Sequence, residues 1–477
     1  MTLMLEMPIT VPPPSIAKMP VSANLPAPAH SCTPAPCHTS AHGAMLMRVL
    51  AALDDAQIPY CILHGYEQYP RCVSSDVDLL IPASFLPDGL ARVLHDRRDE
   101  IGGRVVQWFD DGAHFIVLAG GDRDGPPVLL QLHVSPRYEM AGRVFFEADD
   151  ILANRRRANG FWAPATDIEF ACVLANKVSK GRLSDEHGRR LSALFAIAPE
   201  ECHAQAARLL GEVSARLIAT AAERGNWHPV QRSVAPLREQ LLRGPAKPAG
   251  GNAHRIIRKA LRWIRPRNGF HVVFLGPDGV GKSTTIESFQ RDLSPAFLHT
   301  IYLTFAPGLL PQKFAPPKPD GPHSLPPRSL PASLLKAAWW AVCYTAGYYA
   351  SVHPTRARAG LVVNHRYLVD AIVDQKRYRY SGPVWLLKLI WAIAPKPDVV
   401  ILLDAAPEII QRRKQEVPFE ETARQVSAYR GAIGGLSIGR IIDATQPLQS
   451  VAANVEWLVL DMLARRIARR FGHGGAK

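Results

Sequence analysis

The run Gly276-Pro-Asp-Gly-Val-Gly-Lys-Ser-Thr284 constrains this chain more than any other segment. It meets the pattern G-x4-G-K-[ST] through Gly276, Gly281, Lys282 and Ser283. The apolar run Phe270 to Leu275 before it reads as a strand, and Lys282 to Leu293 after it reads as a helix. Strand, glycine loop and helix in that order are the context the motif requires. Glycines let the backbone wrap closely round an anion and turn its N–H groups inward, and the helix start adds the positive end of its dipole. Gly276, Pro277, Asp278, Gly279, Val280, Gly281, Lys282, Ser283 and Thr284 are therefore the expected cradle for the phosphates of ATP. Lys282 supplies a mobile positive charge for the β- and γ-phosphates, and Ser283 an oxygen ligand for Mg²⁺. The loop alone does not separate a kinase from a GTPase or an ATPase.

Residues 269–477 carry alternating strand and helix signals. Phe270 to Leu275, Gly360 to Asn364 and Val399 to Leu403 are continuous apolar strands, and Arg440 to Ile442 closes the series. Such strands separated by helices predict an α/β fold, a parallel sheet with helices on both faces. The Pro-rich stretch 307–331 reads as a long loop within this unit. Leu334 to Val352 approaches membrane length, but Lys336 interrupts it and Trp339, Trp340, Tyr344, Tyr348 and Tyr349 fill its centre. Tyrosine and tryptophan favour interfaces over the bilayer centre, so a buried or half-buried helix is the favoured reading and a membrane role the lesser alternative.

The 477 residues suggest two to three folded units. Residues 1–42 are rich in Pro, Ala and Ser and read as a disordered tail. Cys32, Cys37, His38 and His42 within it match no strong zinc spacing. Residues 44–224 form a first folded unit. It opens with a helix, Met45 to Leu53, and continues with strands at Tyr60 to His64, Val77 to Ile81, Val105 to Trp108, His114 to Ala119 and Val128 to Val134. Helical patterns follow at Ile168 to Ser179 and Pro199 to Ala222. Residues 225–268 read as a Pro- and Gly-bearing linker ending in a basic helix, His254 to Arg267. That helix offers a peripheral contact with an anionic membrane. The plainer and favoured alternative is a solvated helix packing its apolar stripe on a neighbour. The net charge of +14 points to anionic partners. No nucleic-acid recognition module is visible, so nucleic acid is not an expected partner. Seven cysteines, Cys32, Cys37, Cys61, Cys72, Cys172, Cys202 and Cys343, lack the spacing of a disulfide framework. With no secretory pattern at the start, a reducing, cytoplasmic setting is expected.

From Phe274 onward the chain resembles the thymidylate kinase-like branch of the nucleoside monophosphate kinases. Four landmarks carry the resemblance in order: the phosphate loop with Asp278 inside it; Asn364-His365-Arg366-Tyr367 at a strand end; Leu403-Asp404-Ala-Ala-Pro407-Glu408 followed by Arg413; and Ile442-Asp443-Ala444-Thr445-Gln446-Pro447. The resemblance implies a magnesium- and ATP-dependent kinase acting on a small phosphorylated acceptor, and a homodimer. It implies that Asp278 faces the acceptor's sugar hydroxyl, that Arg366 holds the acceptor phosphate, and that Arg413 reaches across the transferring phosphoryl group. Asp443 and Thr445 would border the base. His365 stands where the family carries an Asp that helps order magnesium, with Asp370 or Asp404 as substitutes. Asp374-Gln-Lys-Arg377-Tyr378-Arg379-Tyr380 departs from housekeeping thymidylate kinases and is similar to a bacterial subgroup linked to surface polysaccharides. The acceptor is therefore not fixed as dTMP. Arg377 and Arg379 are either further phosphate ligands or solvated charges.

In the first unit, His64-Gly65-Tyr66 followed by Ser75-Asp76-Val77-Asp78-Leu79 resembles the nucleotidyltransferase superfamily. The fold implied is an α+β domain with a helical extension. Asp76 and Asp78 alternate on a strand, so both carboxylates face one side, where they would hold a divalent metal. The usual Gly-Ser is Gly65-Tyr66 here, and the strand expected to bring a third acid offers Gln131 and His133. A degenerate domain is the favoured reading. Beside the kinase, two alternatives stand: a nucleotidyltransferase with a regulatory P-loop domain, and a non-catalytic ATP-binding protein in polysaccharide assembly.

Overall fold

The structure is a computed structural model that describes residues 40–110, 112–244, 247–248, 263, 268–307, 323 and 325–472. Most of the Pro/Ala-rich tail, the Cys32/Cys37/His38 group, nearly all of the basic helix 254–267 and most of the Pro-rich stretch 307–331 lie outside the described residues.

Phe270–Leu275 is apolar at five of six positions and buried along its whole length. It is the middle strand of a five-stranded sheet whose spatial order is Thr300–Thr304, Leu361–His365, Phe270–Leu275, Val399–Asp404, Gly439–Asp443. Every pairing in it is parallel. Alternate side chains of a strand point to opposite faces. Phe270, Val272 and Phe274 therefore pack with Ile286 and Phe289 of the helix Lys282–Leu293 and with Val455 and Val459 of the helix Leu448–Arg470. Val273 and Leu275 pack on the other side with Trp340, Tyr344, Leu387 and Tyr429. Helices on both faces explain why the strand shows no polar alternation. His271 is the exception. Its Nε2 meets Asn364 Oδ1 at 2.9 Å, and burial lowers its pKa to about 4, so it sits neutral in the core. Thr300–Thr304 is an edge strand that sequence reading misses, because its residues are half-buried or exposed rather than apolar throughout.

The preceding part is built on a second five-stranded sheet, ordered Cys61–Ile62, Val77–Leu80, Val128–Ser135, His114–Gly120, Gly103–Asp110. Only Val77–Leu80 and Val128–Ser135 run parallel. One face packs Ile62, Leu79, Trp108, Ile116 and Leu130 against Met45, Val49 and Leu53 of the helix Ala41–Asp55. That helix starts where the tail was expected to continue, because the Ser40 side chain accepts the Gly43 N–H at 3.0 Å and caps it. The region expected as a linker contains the helices His228–Arg232 and Val234–Arg243. Their Val230, Val234, Leu237 and Leu241 are buried with the helices Thr166–Ser179, Asp185–Ile197 and Pro199–Arg224. Cys61, Cys172, Cys202 and Cys343 are free and buried. Cys72 is disulfide-bonded.

The other face of this first sheet is covered by the helix Leu448–Arg470. Val106, Val117, Ala119 and Leu129 share one apolar cluster with Trp457, Leu460 and Leu463. Asp461 accepts from Arg104 and from Arg123, the latter at 3.1 Å, and Trp457 Nε1 donates to the Gly125 carbonyl at 3.2 Å. Gln107 Nε2 donates to the Asn268 carbonyl at 2.8 Å. The C-terminal helix is thus a shared wall between both sheets. Leu460 is fully buried in that wall. Leu460→Ala is expected to destabilise the chain by about 2–5 kcal/mol, read as a lower urea midpoint with the transition slope preserved.

Candidate functional site

The phosphate loop hangs from the C-terminal end of the central strand. Gly276, Gly279 and Gly281 adopt φ of 142°, 86° and 103°, values that favour glycine. A Cβ on Gly276 would lie 2.7 Å from the Leu403 carbonyl oxygen, so the neighbouring strand also enforces glycine there. Gly281 caps the helix Lys282–Leu293, and Ser283 and Thr284 stand exposed on its first turn. The buried Lys282 Nζ donates to the carbonyls of Gly276 at 2.8 Å and Pro277 at 2.7 Å, and lies 3.6 Å from Asp278 Oδ1. Burial, reinforced by the nearby Arg366 cation, pulls the Lys282 ammonium down to about 7.

Asp278 is the centre of charge. Arg366 contacts one of its oxygens and Arg377 the other. Burial opposes ionisation of Asp278, but Arg366, Lys282 and Arg377 together outweigh it and hold the carboxyl far below its usual range. Arg366 sits at a φ of 70°, rare for a side-chain-bearing residue, and its N–H donates to the Phe274 carbonyl at 3.0 Å. The fully buried Asp370 sets its side chain. Asp370 accepts from Arg366 at 3.3 Å, from Tyr429 Oη at 2.5 Å and from the Tyr367 N–H at 2.8 Å. Asp370 is therefore engaged in orienting Arg366. The i, i+4 spacing from Arg366 was the available sequence signal for this pairing.

Arg377 is placed by Asp374, whose Oδ1 accepts the Arg377 N–H at 3.1 Å and whose Oδ2 accepts from Gln425 at 3.1 Å. His323 Nε2 lies 2.9 Å from both Asp374 oxygens. Nothing in the local sequence joins His323, Asp374 and Gln425, and sequence reasoning did not find them as a group. Arg379 is turned away, with its Nε donating to the Pro326 carbonyl at 2.8 Å. Of the two arginines left open by the sequence, Arg377 alone reaches Asp278.

The remaining expected residues lie round the loop with different partners. Arg413 ends the helix Pro407–Arg413 and donates to the carbonyls of Ala444 at 2.9 Å and Val280 at 3.5 Å. It ties the phosphate loop to the turn after Gly439–Asp443. In that turn Asp443 Oδ1 accepts from the Thr445 N–H at 2.9 Å and from its hydroxyl at 2.7 Å. Asp404 is gripped by Arg430, whose Nε lies 3.0 Å from each carboxylate oxygen. His365 closes the strand Leu361–His365, and its Nδ1 meets Tyr302 Oη at 3.0 Å. Burial, then the Lys282 and Arg366 cations, push its pKa down to about 3, so His365 is neutral.

The first part gathers a smaller charged group. Asp78 and His133 are in register on neighbouring parallel strands, and His133 Nδ1 lies 2.9 Å from Asp78 Oδ1. His64 Nδ1 is 3.6 Å from the other oxygen. The bond to Asp78 raises the His133 pKa. Asp78 is thus held by two histidines, while Asp76 is exposed. Gln131 turns instead to the Pro295 carbonyl. Tyr66 replaces the expected serine with a structural bond, its hydroxyl reaching the buried Glu169, which also pairs with Arg156 and Arg190.

A parallel sheet with helices on both faces and a glycine-rich loop at the end of its central strand is an α/β fold. No protein-family profile matches the chain. The chain is 26% identical over 203 residues to a protein of Pyrobaculum aerophilum described as a probable thymidylate kinase. The match covers 39% of this chain and 95% of that protein. The chain therefore contains a thymidylate kinase-like region.

Lys282 generates a pH prediction. An anionic triphosphate favours the charged ammonium and raises its pKa from about 7. Binding should therefore take up a proton above pH 7 and weaken as pH rises further. Calorimetry at pH 8 in buffers of different ionisation enthalpy is expected to show uptake approaching one proton per site, falling towards zero by pH 6.

Proposed function

We propose that the chain is an ATP-dependent kinase that moves the γ-phosphoryl group to a small acceptor already carrying a phosphate, of the nucleoside monophosphate class. One observation carries this reading: Arg366, Arg377 and Lys282 converge on the single carboxylate of Asp278 beside the phosphate loop. A phosphate dianion has the charge and the oxygen geometry to replace that carboxylate on a pair of guanidinium groups. The likeness to the probable thymidylate kinase supports the same class of reaction.

The residues fit the phosphates of ATP. The positive-φ glycines and the helix start present N–H groups, and Lys282 needs only to exchange two backbone carbonyls for phosphate oxygens. Transfer then follows from positioning. An oxygen of the acceptor phosphate attacks the γ-phosphorus, the bond to the β,γ-bridging oxygen breaks, and ADP leaves with that electron pair. Lys282 balances charge on the transferring group. Arg366, braced by Asp370, and Arg377, braced by Asp374, hold the acceptor, and Asp278 is freed to accept a hydroxyl of its sugar. Arg413 fixes the loop to the base-side turn rather than touching the phosphoryl group.

Magnesium finds fewer protein ligands here than the resemblance implies. Ser283 offers an exposed hydroxyl, but Asp404 is occupied by Arg430 and a neutral histidine stands at position 365. Ser283 would hold the ion, which neutralises triphosphate charge when bound, and no step above depends on a protein carboxylate for it. The nucleotidyltransferase alternative gains nothing from Asp78, whose oxygens face His133 and His64.

A screen of ATP consumption against nucleoside monophosphates and sugar phosphates tests the proposal. Lys282→Ala is expected to lower turnover by about 100-fold or more at unchanged fold stability. Stoichiometric transfer retained in Lys282→Ala would sink the kinase assignment. Arg377→Ala is expected to raise the acceptor KM about tenfold or more with the KM for ATP unchanged. Equal rises in both constants would remove Arg377 from the acceptor side.

A further inference from the structure

The helix Leu330–Gly347, continued by the π-helical turn Tyr348–Val352, contains the stretch Leu334 to Val352 for which a buried or half-buried helix was the favoured reading. It buries one side only. Ala337, Trp340, Tyr344 and Gly347 face the core, whereas Leu335, Trp339, Val342 and Tyr349 face solvent at helical spacing. The neighbouring helix Val384–Ile393 does the same: Leu387 and Ile390 are buried, and Trp385, Leu389 and Ile393 are exposed. The two helices touch and share one apolar core beneath them. Their outer sides are unusually bare, with Leu335 at 75%, Trp385 at 64% and Ile393 at 59% exposure. Of the nineteen large apolar side chains exposed among the described residues, ten lie on these two helices. An apolar concentration of this kind marks an interaction surface rather than ordinary scatter.

Charge chooses the occupant. Neither helix contains an Asp or Glu, and the exposed positions of both carry one charged side chain, Lys388. Arg328, which precedes the first helix, is also exposed. A second copy docking by two-fold symmetry would offer this face the same lysine and no carboxylate to meet it. An anionic lipid surface offers the opposite charge. It also suits Trp339, Trp385 and Tyr349, whose rings combine an apolar body with a polar edge. Neither helix is long and apolar enough to cross a bilayer.

We propose that this two-helix face lies in the interfacial layer of a membrane containing anionic lipids, with its leucines and tryptophans among the upper acyl chains and Lys388 among the headgroups. The surface shares no residue with the phosphate loop.

The test is sedimentation of the full chain with vesicles of phosphatidylcholine alone or mixed equally with phosphatidylglycerol, followed by tryptophan emission. The wild type is expected to bind the mixed vesicles with a blue shift and the neutral ones at least about tenfold more weakly. The double variant Leu335→Glu/Trp385→Glu is expected to lose about tenfold or more in affinity while retaining its melting temperature and ATP turnover. A wild type that stays in solution overturns the proposal. So does undiminished binding by the double variant, which would assign contact to another segment. A concentration-dependent dimer that the double variant dissolves, without vesicle binding, assigns the face to a second copy and equally overturns it. Should the double variant fail to fold, Lys388→Glu decides, because binding to mixed vesicles unchanged by that surface reversal contradicts the charge argument.

Discussion

Parallel strands cannot be joined by tight turns, so a central parallel strand must be buried on both faces by the crossovers that return the chain. Phe270–Leu275 carries that constraint here. Its two faces organise two separate helical layers, and its carbonyl end fixes where the phosphate loop begins. The left-handed backbone of Gly276 follows directly, because the Leu403 carbonyl of the next strand leaves no room for a side chain. The strand positions the acceptor side as well. Phe274 is in register with His365, and its carbonyl holds the Arg366 N–H in an otherwise unfavourable conformation. Backbone strain at Arg366 is offset by this bond and by Asp370, which together aim a buried cation at the loop.

The electrostatics of the site turn on how few anions face how many cations. Asp278 is the carboxylate that Arg366, Arg377 and Lys282 share at the loop. Asp370 and Asp374 stand behind and act on the arginines rather than on a ligand. Such an arrangement is satisfied without ligand, yet its positive groups are already gathered for one. The first part of the chain resolves its charges differently. Asp78 is matched by histidines, and Glu169 is matched by Tyr66, Arg156 and Arg190.

The parts legible in the sequence were those with local causes. The strand Phe270–Leu275 and the helix Lys282–Leu293 follow from an apolar run and a glycine loop, and their observed ends agree with those signals. The strand Thr300–Thr304 was invisible because an edge position needs no continuous apolar run. The helices at 228–243 were hidden by prolines that here sit within the first turns, where a missing N–H costs nothing. Partner choice was the least legible. Asp404 meets Arg430 from a helix further along the chain, and Asp374 gathers His323 and Gln425 from two other segments. Arg413 keeps its sequence neighbourhood but points to Ala444. Spacing alone does not encode such directions.

The wall formed by the C-terminal helix bears on where this chain can be divided. The relative from Pyrobaculum aerophilum matches over 95% of its own length. In this chain one flank of the helix Leu448–Arg470 is covered by the first sheet. Excised at residue 269, the stretch that follows would present to water the apolar side now covered by Val106, Val117, Ala119 and Leu129, and Asp461 would lose both of its arginines. A cut at residue 269 therefore divides one continuous apolar wall rather than passing between two closed ones.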